Sequence, residues 1–250
     1  MLQCRVELYS ILYEDPDILV ANKLAPIPVQ RDKTGDKSLQ DYLREDLSLR
    51  ESADDKEAGA FLEAAHRIDR RASGAVLFAK THIALSTLEA AFREKRVEKE
   101  YLACVEREPS PPEGKLEHRL AWDKRRNVVR CYRPDSVSGK PALLEYRVAG
   151  RSDNYFFLSV NLITGRHHQI RAQLSAAGCP IRGDLKYGAR RSSPSGLIML
   201  HARRIALVQP RTDERVDVLA PFPQAEPLWK ALAAGDKDDI GVKAEGVDEA

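Results

Sequence analysis

The stretch HRIDRRASGAVLFAK, His66 to Lys80, sets one carboxylate, Asp69, among His66, Arg67, Arg70 and Arg71. An Asp beside arginines is ordinarily half of an ion pair that contributes little at a surface. It becomes a candidate nucleophile in a partly dry cleft, where a neighbouring guanidinium favours the charged form of a carboxylate. Directly after the cluster, the small residues Ala72, Ser73 and Gly74 allow a tight turn and close approach by a ligand. No second carboxylate lies close in sequence, so the two-acid arrangement of a glycosidase is not evident.

Two further segments have compositions that packing alone does not explain. Asn161 to Gly188 (NLITGRHHQIRAQLSAAGCPIRGDLKYG) carries Arg166, Arg171, Arg182 and Lys186 against a single acid, Asp184. Arg119 to Arg133 (RLAWDKRRNVVRCYR) carries six Lys or Arg against Asp123. Such basic stripes suit a phosphate backbone, which is recognised mainly through Arg and Lys. A metal template is not expected: there is no HExxH, and the adjacent pair His167-His168 would point in opposite directions on a strand.

The elements that must position these residues can be read from pattern. Tyr9 to Asn22 reads as a hairpin turning at Glu-Asp-Pro-Asp, and Ser38 caps a helix over Leu39 to Leu47. Glu51 to Gly59 is a charged loop, Ala75 to Ala79 a buried strand, and His82 to Arg93 a helix. Lys99 to Glu106 alternates as a strand, with Tyr101, Ala103 and Val105 on one face. Further strands are expected at Val128 to Tyr132, Leu143 to Ala149, Tyr155 to Leu162, Met199 to Val208 and Arg215 to Leu219. Between them lies a helix from Gln169 to Ala177, ended by Gly178 and Pro180, and Glu226 to Ala234 forms a terminal helix. Short links favour antiparallel neighbours, giving an α+β domain on a long, mixed, mainly antiparallel sheet.

With 250 residues and 43% hydrophobic content, one large domain with an ample core is expected over residues 1–234. Residues 235–250 hold six acids and two lysines and read as a disordered acidic tail; without them the body carries +6 rather than the overall +2. No apolar run spans a membrane and no secretion signal opens the chain, so the expected setting is the cytoplasm, with no membrane partner. The four cysteines, Cys4, Cys104, Cys131 and Cys179, lack the spacing of a disulfide framework.

Several segments also resemble the RluA family of RNA pseudouridine synthases. His66 to Lys80 resembles the signature HRLDxxTSGLLLxAK, and TGRHHQIRAQLSAAGCPIRGDLKYG resembles TGRTHQIRVHLxxxGxPIxGDxxYG. ILYEDPDILVANKLAPIPVQ, EKEYLACVE and LHARRIALVQPRT resemble three more of its motifs, so the likeness runs in order from Ile11 to Thr212. It implies a pseudouridine synthase fold whose sheet, flanked by helices, is bisected by an RNA-binding active-site cleft. It makes Asp69 the catalytic aspartate, Arg171 its basic partner and Tyr101 the active-site tyrosine. Arg67 would fill the stack left by a flipped uridine. Arg70, Arg166, His168, Gln169 and Lys186 are the other expected RNA contacts, with no cofactor or metal and a monomeric state.

The chain departs from the motifs at Arg71, Ala72, His167, which stands for Thr, and Gln209, which stands for His. None of these replaces an expected catalytic group. The first motif starts about ten residues from Met1, so an N-terminal S4 domain of the kind some family members carry is not expected. The expected activity is isomerisation of uridine to pseudouridine in structured RNA, ribosomal RNA being favoured over transfer RNA. Two rivals make different predictions: an RNA-remodelling protein would need no carboxylate among its cations, and a nucleoside or glycoside hydrolase would release free uracil.

Overall fold

The computed structural model describes residues 8–24, 26–50, 61–193, 195–223 and 226–235. The charged loop expected at Glu51 to Gly59 and the acidic tail beyond 235 lie outside the described residues, as does Cys4.

Strands β1 (Tyr9–Glu14), β2 (Ile18–Lys23), β3 (Glu63–Ala64), β4 (Ser73–Ala79), β5 (Glu98–Val105), β6 (Glu113–Asp123), β7 (Val128–Tyr132), β8 (Lys140–Arg151), β9 (Phe156–Leu162), β10 (Leu200–Val208) and β11 (Arg215–Leu219) form one sheet. Its order is β1-β2-β4-β10-β5-β9-β8-β6-β7, with β3 on β4 and β11 on β10. Helices α1 (Leu39–Arg50), α2 (His82–Arg93), α3 (Gln169–Ala176) and α4 (Pro227–Gly235) accompany it. No described helix is long and apolar enough to cross a membrane. The fold is α+β, and among the described pairings only β4 with β10 is parallel.

That parallel pair organises the centre. Strand β10 divides one edge between two partners: His201 and Ala202 pair with Ser73 and Gly74 of β4, while Arg204 to Val208 pair with β11. Gly74 has φ +111°, and a Cβ there would lie 2.3 Å from the Ala202 carbonyl oxygen. The small residues after Asp69 therefore admit the backbone of β10 rather than a ligand, as the burial of Ala72 and Ser73 also shows. His201 locks the junction, with Nδ1 2.9 Å from Ser73 Oγ and Nε2 3.1 Å from the Ala220 carbonyl.

Strand β4 is buried throughout, and apolar from Ala75 to Ala79, because both its faces are covered. Val76 and Phe78 join the core that includes Leu39, Leu43 and Leu47 of α1, while Ala75, Leu77 and Ala79 join the one that includes Ala84, Leu88 and Ala91 of α2. Helix α1 starts with a reciprocal cap, in which Ser38 Oγ accepts from Asp41 N–H and the Ser38 N–H donates to the Asp41 carboxylate. Thr81 Oγ1 caps α2 by accepting from Ala84 N–H at 3.1 Å. A third cluster joins Ala172 of α3 to Leu120 of β6, Val129 of β7 and Tyr187. Strand β6 was not expected from the sequence, although its outward positions alternate with half-buried ones from Glu113 onward.

Candidate active site

Asp69 lies four residues before β4 begins, in a turn closed by the Ala72 N–H donating to the Asp69 carbonyl at 3.0 Å. Its side chain keeps 18% of its surface exposed. Helix α3 brings Arg171 to it across 102 positions of sequence: Nη1 donates to Asp69 Oδ2 at 3.1 Å. The other nitrogens of the same guanidinium are engaged by a residue the sequence reading did not assign. Asp184, 1% exposed, accepts from Nε at 2.6 Å through Oδ2 and from Nη2 at 2.8 Å through Oδ1. One buried carboxylate and one partly exposed one thus hold a single planar cation, a geometry that a fork of donors satisfies and a lysine would not. The Arg171 guanidinium also lies over the Tyr187 ring, 4.8 Å from its centroid.

His168 completes this wall. It caps α3 in the left-handed region, φ 52°, and its side chain makes no cap hydrogen bond, which frees the ring to turn inward. Nδ1 lies 2.8 Å from the Tyr187 hydroxyl, and Nε2 faces Asp69 Oδ1 at 3.9 Å. Burial, with help from Arg171, pushes the imidazole pKa down to about 2, so the ring is neutral near neutral pH. The tautomer follows from its neighbours. A lone pair on Nε2 would oppose the carboxylate, so Nε2 carries the proton and Nδ1 accepts from the Tyr187 O–H. That hydroxyl in turn accepts from Val129 N–H at 2.9 Å.

On a strand His167 and His168 would point to opposite sides. They lie instead in the turn before α3, their rings stacked with centroids 3.9 Å apart. Ligand atoms of Asp69, His167 and His168 fall within 4.8 Å of one another. The Arg171 fork and the nearby charge of Lys186 both oppose a cation there.

Tyr101 reaches the centre through register, since it pairs with Ala202 of β10 on one side and Val160 of β9 on the other. It is 7% exposed, and burial followed by the charge of Asp69 raises its phenol pKa. A phenolate is therefore disfavoured, and the hydroxyl suits hydrogen bonding or proton relay rather than storage of negative charge. Lys23, also unassigned by the sequence reading, ends β2 in full burial and donates from Nζ to the Arg70 carbonyl at 2.8 Å. Desolvation brings its pKa down to about 7, against the opposing pull of Asp69.

The expected RNA contacts divide. Arg67, Arg166 and Lys186 are exposed. The charge of Arg67 reaches His167, and that of Lys186 reaches both His167 and His168. Gln169 works inside the protein instead: its amide accepts from Arg166 N–H at 2.9 Å and from Thr164 Oγ1, and donates to the Leu143 carbonyl. Arg70 is engaged at the surface by groups of the same chain, the Pro26 carbonyl, Thr34 and the carboxylates of Asp32 and Asp36. Asp184 and Tyr187 had one available signal, their place in the motif GDLKYG beside the basic residues already noted.

Comparison with known proteins decides what this arrangement belongs to. The family model for RNA pseudouridylate synthases matches residues 17–176. The chain belongs to the RluA family of RNA pseudouridine synthases. As an RluA-family chain it is 33% identical over 220 residues to the dual-specificity RNA pseudouridine synthase RluA of Escherichia coli, covering 84% of this chain and 92% of that one. It is 31% identical over 215 residues to ribosomal large subunit pseudouridine synthase C of Rickettsia bellii, covering 85% and 68%. Among solved structures, human RNA pseudouridylate synthase domain containing 1 superposes with a TM-score of 0.69 at 27% identity, covering 89% of this chain and 87% of that one. This RluA-family chain is thus an RNA pseudouridine synthase, an isomerase.

Proposed function

We propose that this enzyme converts uridines of ribosomal RNA to pseudouridine, with Asp69 engaging the target nucleotide. The observation that carries the reading is the Asp69–Arg171 contact at 3.1 Å, held by Asp184 beneath and open to solvent only at the Asp69 carboxylate. The target uridine flips out of its stack, and Arg67 occupies the space it leaves. The N1–C1′ bond breaks with Asp69 engaged, the uracil rotates, and C5 joins C1′. The C5 proton is then lost while N1 gains one. The product is an isomer of the substrate, so no oxidant, reductant or group donor is consumed. Tyr101 stacks against the base and relays the C5 proton through its hydroxyl, in keeping with a phenol held in its neutral form.

The preference for ribosomal RNA is supported by the relatives named for the large ribosomal subunit, and the dual-specificity relative makes transfer RNA the alternative substrate. We place the enzyme in the cytoplasm as a monomer. Tritium release from RNA transcribed with [5-³H]uridine tests the assignment. Release from large-subunit ribosomal RNA is expected; release from transfer RNA alone would reverse the substrate preference, and release from neither would contradict the reading.

A further inference from the structure

Strand β6 ends in an exposed aromatic that the proposed chemistry does not use. Trp122 keeps 43% of its surface exposed, whereas the other tryptophan, Trp229, is 1% exposed and stacks on Phe222 at 5.3 Å. The alternation of β6 puts Trp122 on the same face as Leu120, which packs with Ala172 of α3. It therefore projects toward the N-terminal end of α3. There its indole meets His167 edge-on at 5.2 Å and His168 at 6.2 Å, both at 64°. His168 in turn faces Asp69 at 3.9 Å. An aromatic row thus leads from the candidate catalytic carboxylate to the surface.

Charge surrounds the outer end of that row. Lys186 Nζ lies over the Trp122 ring, 5.4 Å from its centroid, so a stacking base would take the opposite face. The β6–β7 turn exposes Lys124, Arg125 and Arg126 immediately beyond the indole. Asp123, the one acid of the turn, is engaged within it: Oδ1 accepts from the Arg125 and Arg126 N–H groups, and Oδ2 pairs with Arg130 at 2.7 Å. An exposed indole with one cation over its ring and others beyond it fits a ligand that has both an aromatic face and negative charge. A nucleotide has both.

We infer that Trp122, braced by His167 and flanked by Lys186, forms a stacking site for an unpaired base of the RNA near the target uridine. The cations of the β6–β7 turn take the adjoining phosphates. This rests on the proposed RNA reading and extends it, because it makes the enzyme select a uridine with an unstacked neighbour. A base inside a duplex has both faces covered and cannot use the indole.

The test is tryptophan fluorescence of the full chain, titrated with a stem–loop RNA carrying uridines in its loop and with a fully paired duplex of equal length. Since Trp229 is buried, quenching reports on Trp122. The loop RNA is expected to quench and the duplex to leave the signal largely unchanged. Trp122→Ala should weaken loop-RNA affinity about ten-fold, the scale of one lost base stack, and Trp122→Phe should restore it. Equal quenching by both RNAs, no quenching by the loop RNA, or unchanged affinity in Trp122→Ala would each overturn the inference. Failure of tritium release from ribosomal RNA with these binding results intact would instead remove the proposed substrate and leave the stacking site standing.

Discussion

Asp184 grips Arg171 along one edge of its guanidinium, through Nε at 2.6 Å and Nη2 at 2.8 Å, and so aims the remaining Nη1 at Asp69. The residue that meets the candidate catalytic carboxylate is thus positioned by a second carboxylate that is almost wholly buried. Removing one partner from a buried, hydrogen-bonded ion network leaves charge without compensation.

Asp184→Ala is accordingly expected to destabilise the protein by about 3 kcal/mol, read as a drop in the urea midpoint. Asp184→Asn, which keeps the shape but loses the charge, should fold and bind RNA while kcat falls at least ten-fold. An unchanged kcat in the Asn variant would remove Asp184 as a positioning residue.

Tyr101→Phe separates packing from chemistry. The ring remains between β10 and β9, so thermal stability should stay near that of the parent, while turnover falls about a hundred-fold through loss of the hydroxyl, within the usual range for a positioned proton-transfer group. Single-turnover kinetics would detect the change, and wild-type turnover in the Phe variant would assign Tyr101 to packing alone.

Gly74→Ala tests the central junction. The added Cβ would meet the Ala202 carbonyl oxygen at 2.3 Å, from a backbone conformation that L side chains rarely adopt. The expected outcome is a fall in Tm of at least about 6 °C for the ~3 kcal/mol or more that such strain costs in a chain of this length. A variant with unchanged Tm would contradict the described approach of β4 to β10.

Stability should depend on pH through groups held neutral by burial. His66, His168 and His201 have pKa values brought down to about 3, about 2 and about 4. From pH 6.5 down to those values the unfolded chain binds protons that the folded chain does not, so stability falls with acidification, by up to ~1.4 kcal/mol per pH unit for each group. Lys23, brought down to about 7, acts in the same direction at higher pH, so its contribution rises from about pH 7 toward 10.5. Urea midpoints measured from pH 4.5 to 9 would show this slope, and Lys23→Met should flatten the alkaline part.

These relationships show how far pattern alone reaches. Helix α2 and the end of α3 at Gly178 were legible because helical spacing and a glycine cap are local signals, and Gly178 does adopt φ +79°. The roles implied for Asp69 and Arg171 came from motif likeness, and the structure brings the two into contact. Asp184 was not legible as the partner of Arg171, because a turn of irregular backbone separates them and no periodicity links a helix to such a turn. Strand β6 was obscured because its outward positions Glu113, Lys115 and Glu117 are charged, and because the segment from Arg119 onward was read for its basic composition rather than for a period of two. Gln169 and Arg70 were expected as RNA contacts along with the motif likeness, and only tertiary structure reveals the carbonyls and carboxylates they already serve.

The central claim rests on one carboxylate, and Asp69→Asn tests it most directly. The substitution keeps the size of the side chain and a hydrogen-bonding oxygen for Arg171. The measurement is tritium release from [5-³H]uridine-labelled ribosomal RNA, run beside a filter-binding titration with the same RNA. The account predicts no detectable release with RNA affinity within a few-fold of the parent. Release by the Asn variant at the wild-type rate would contradict it.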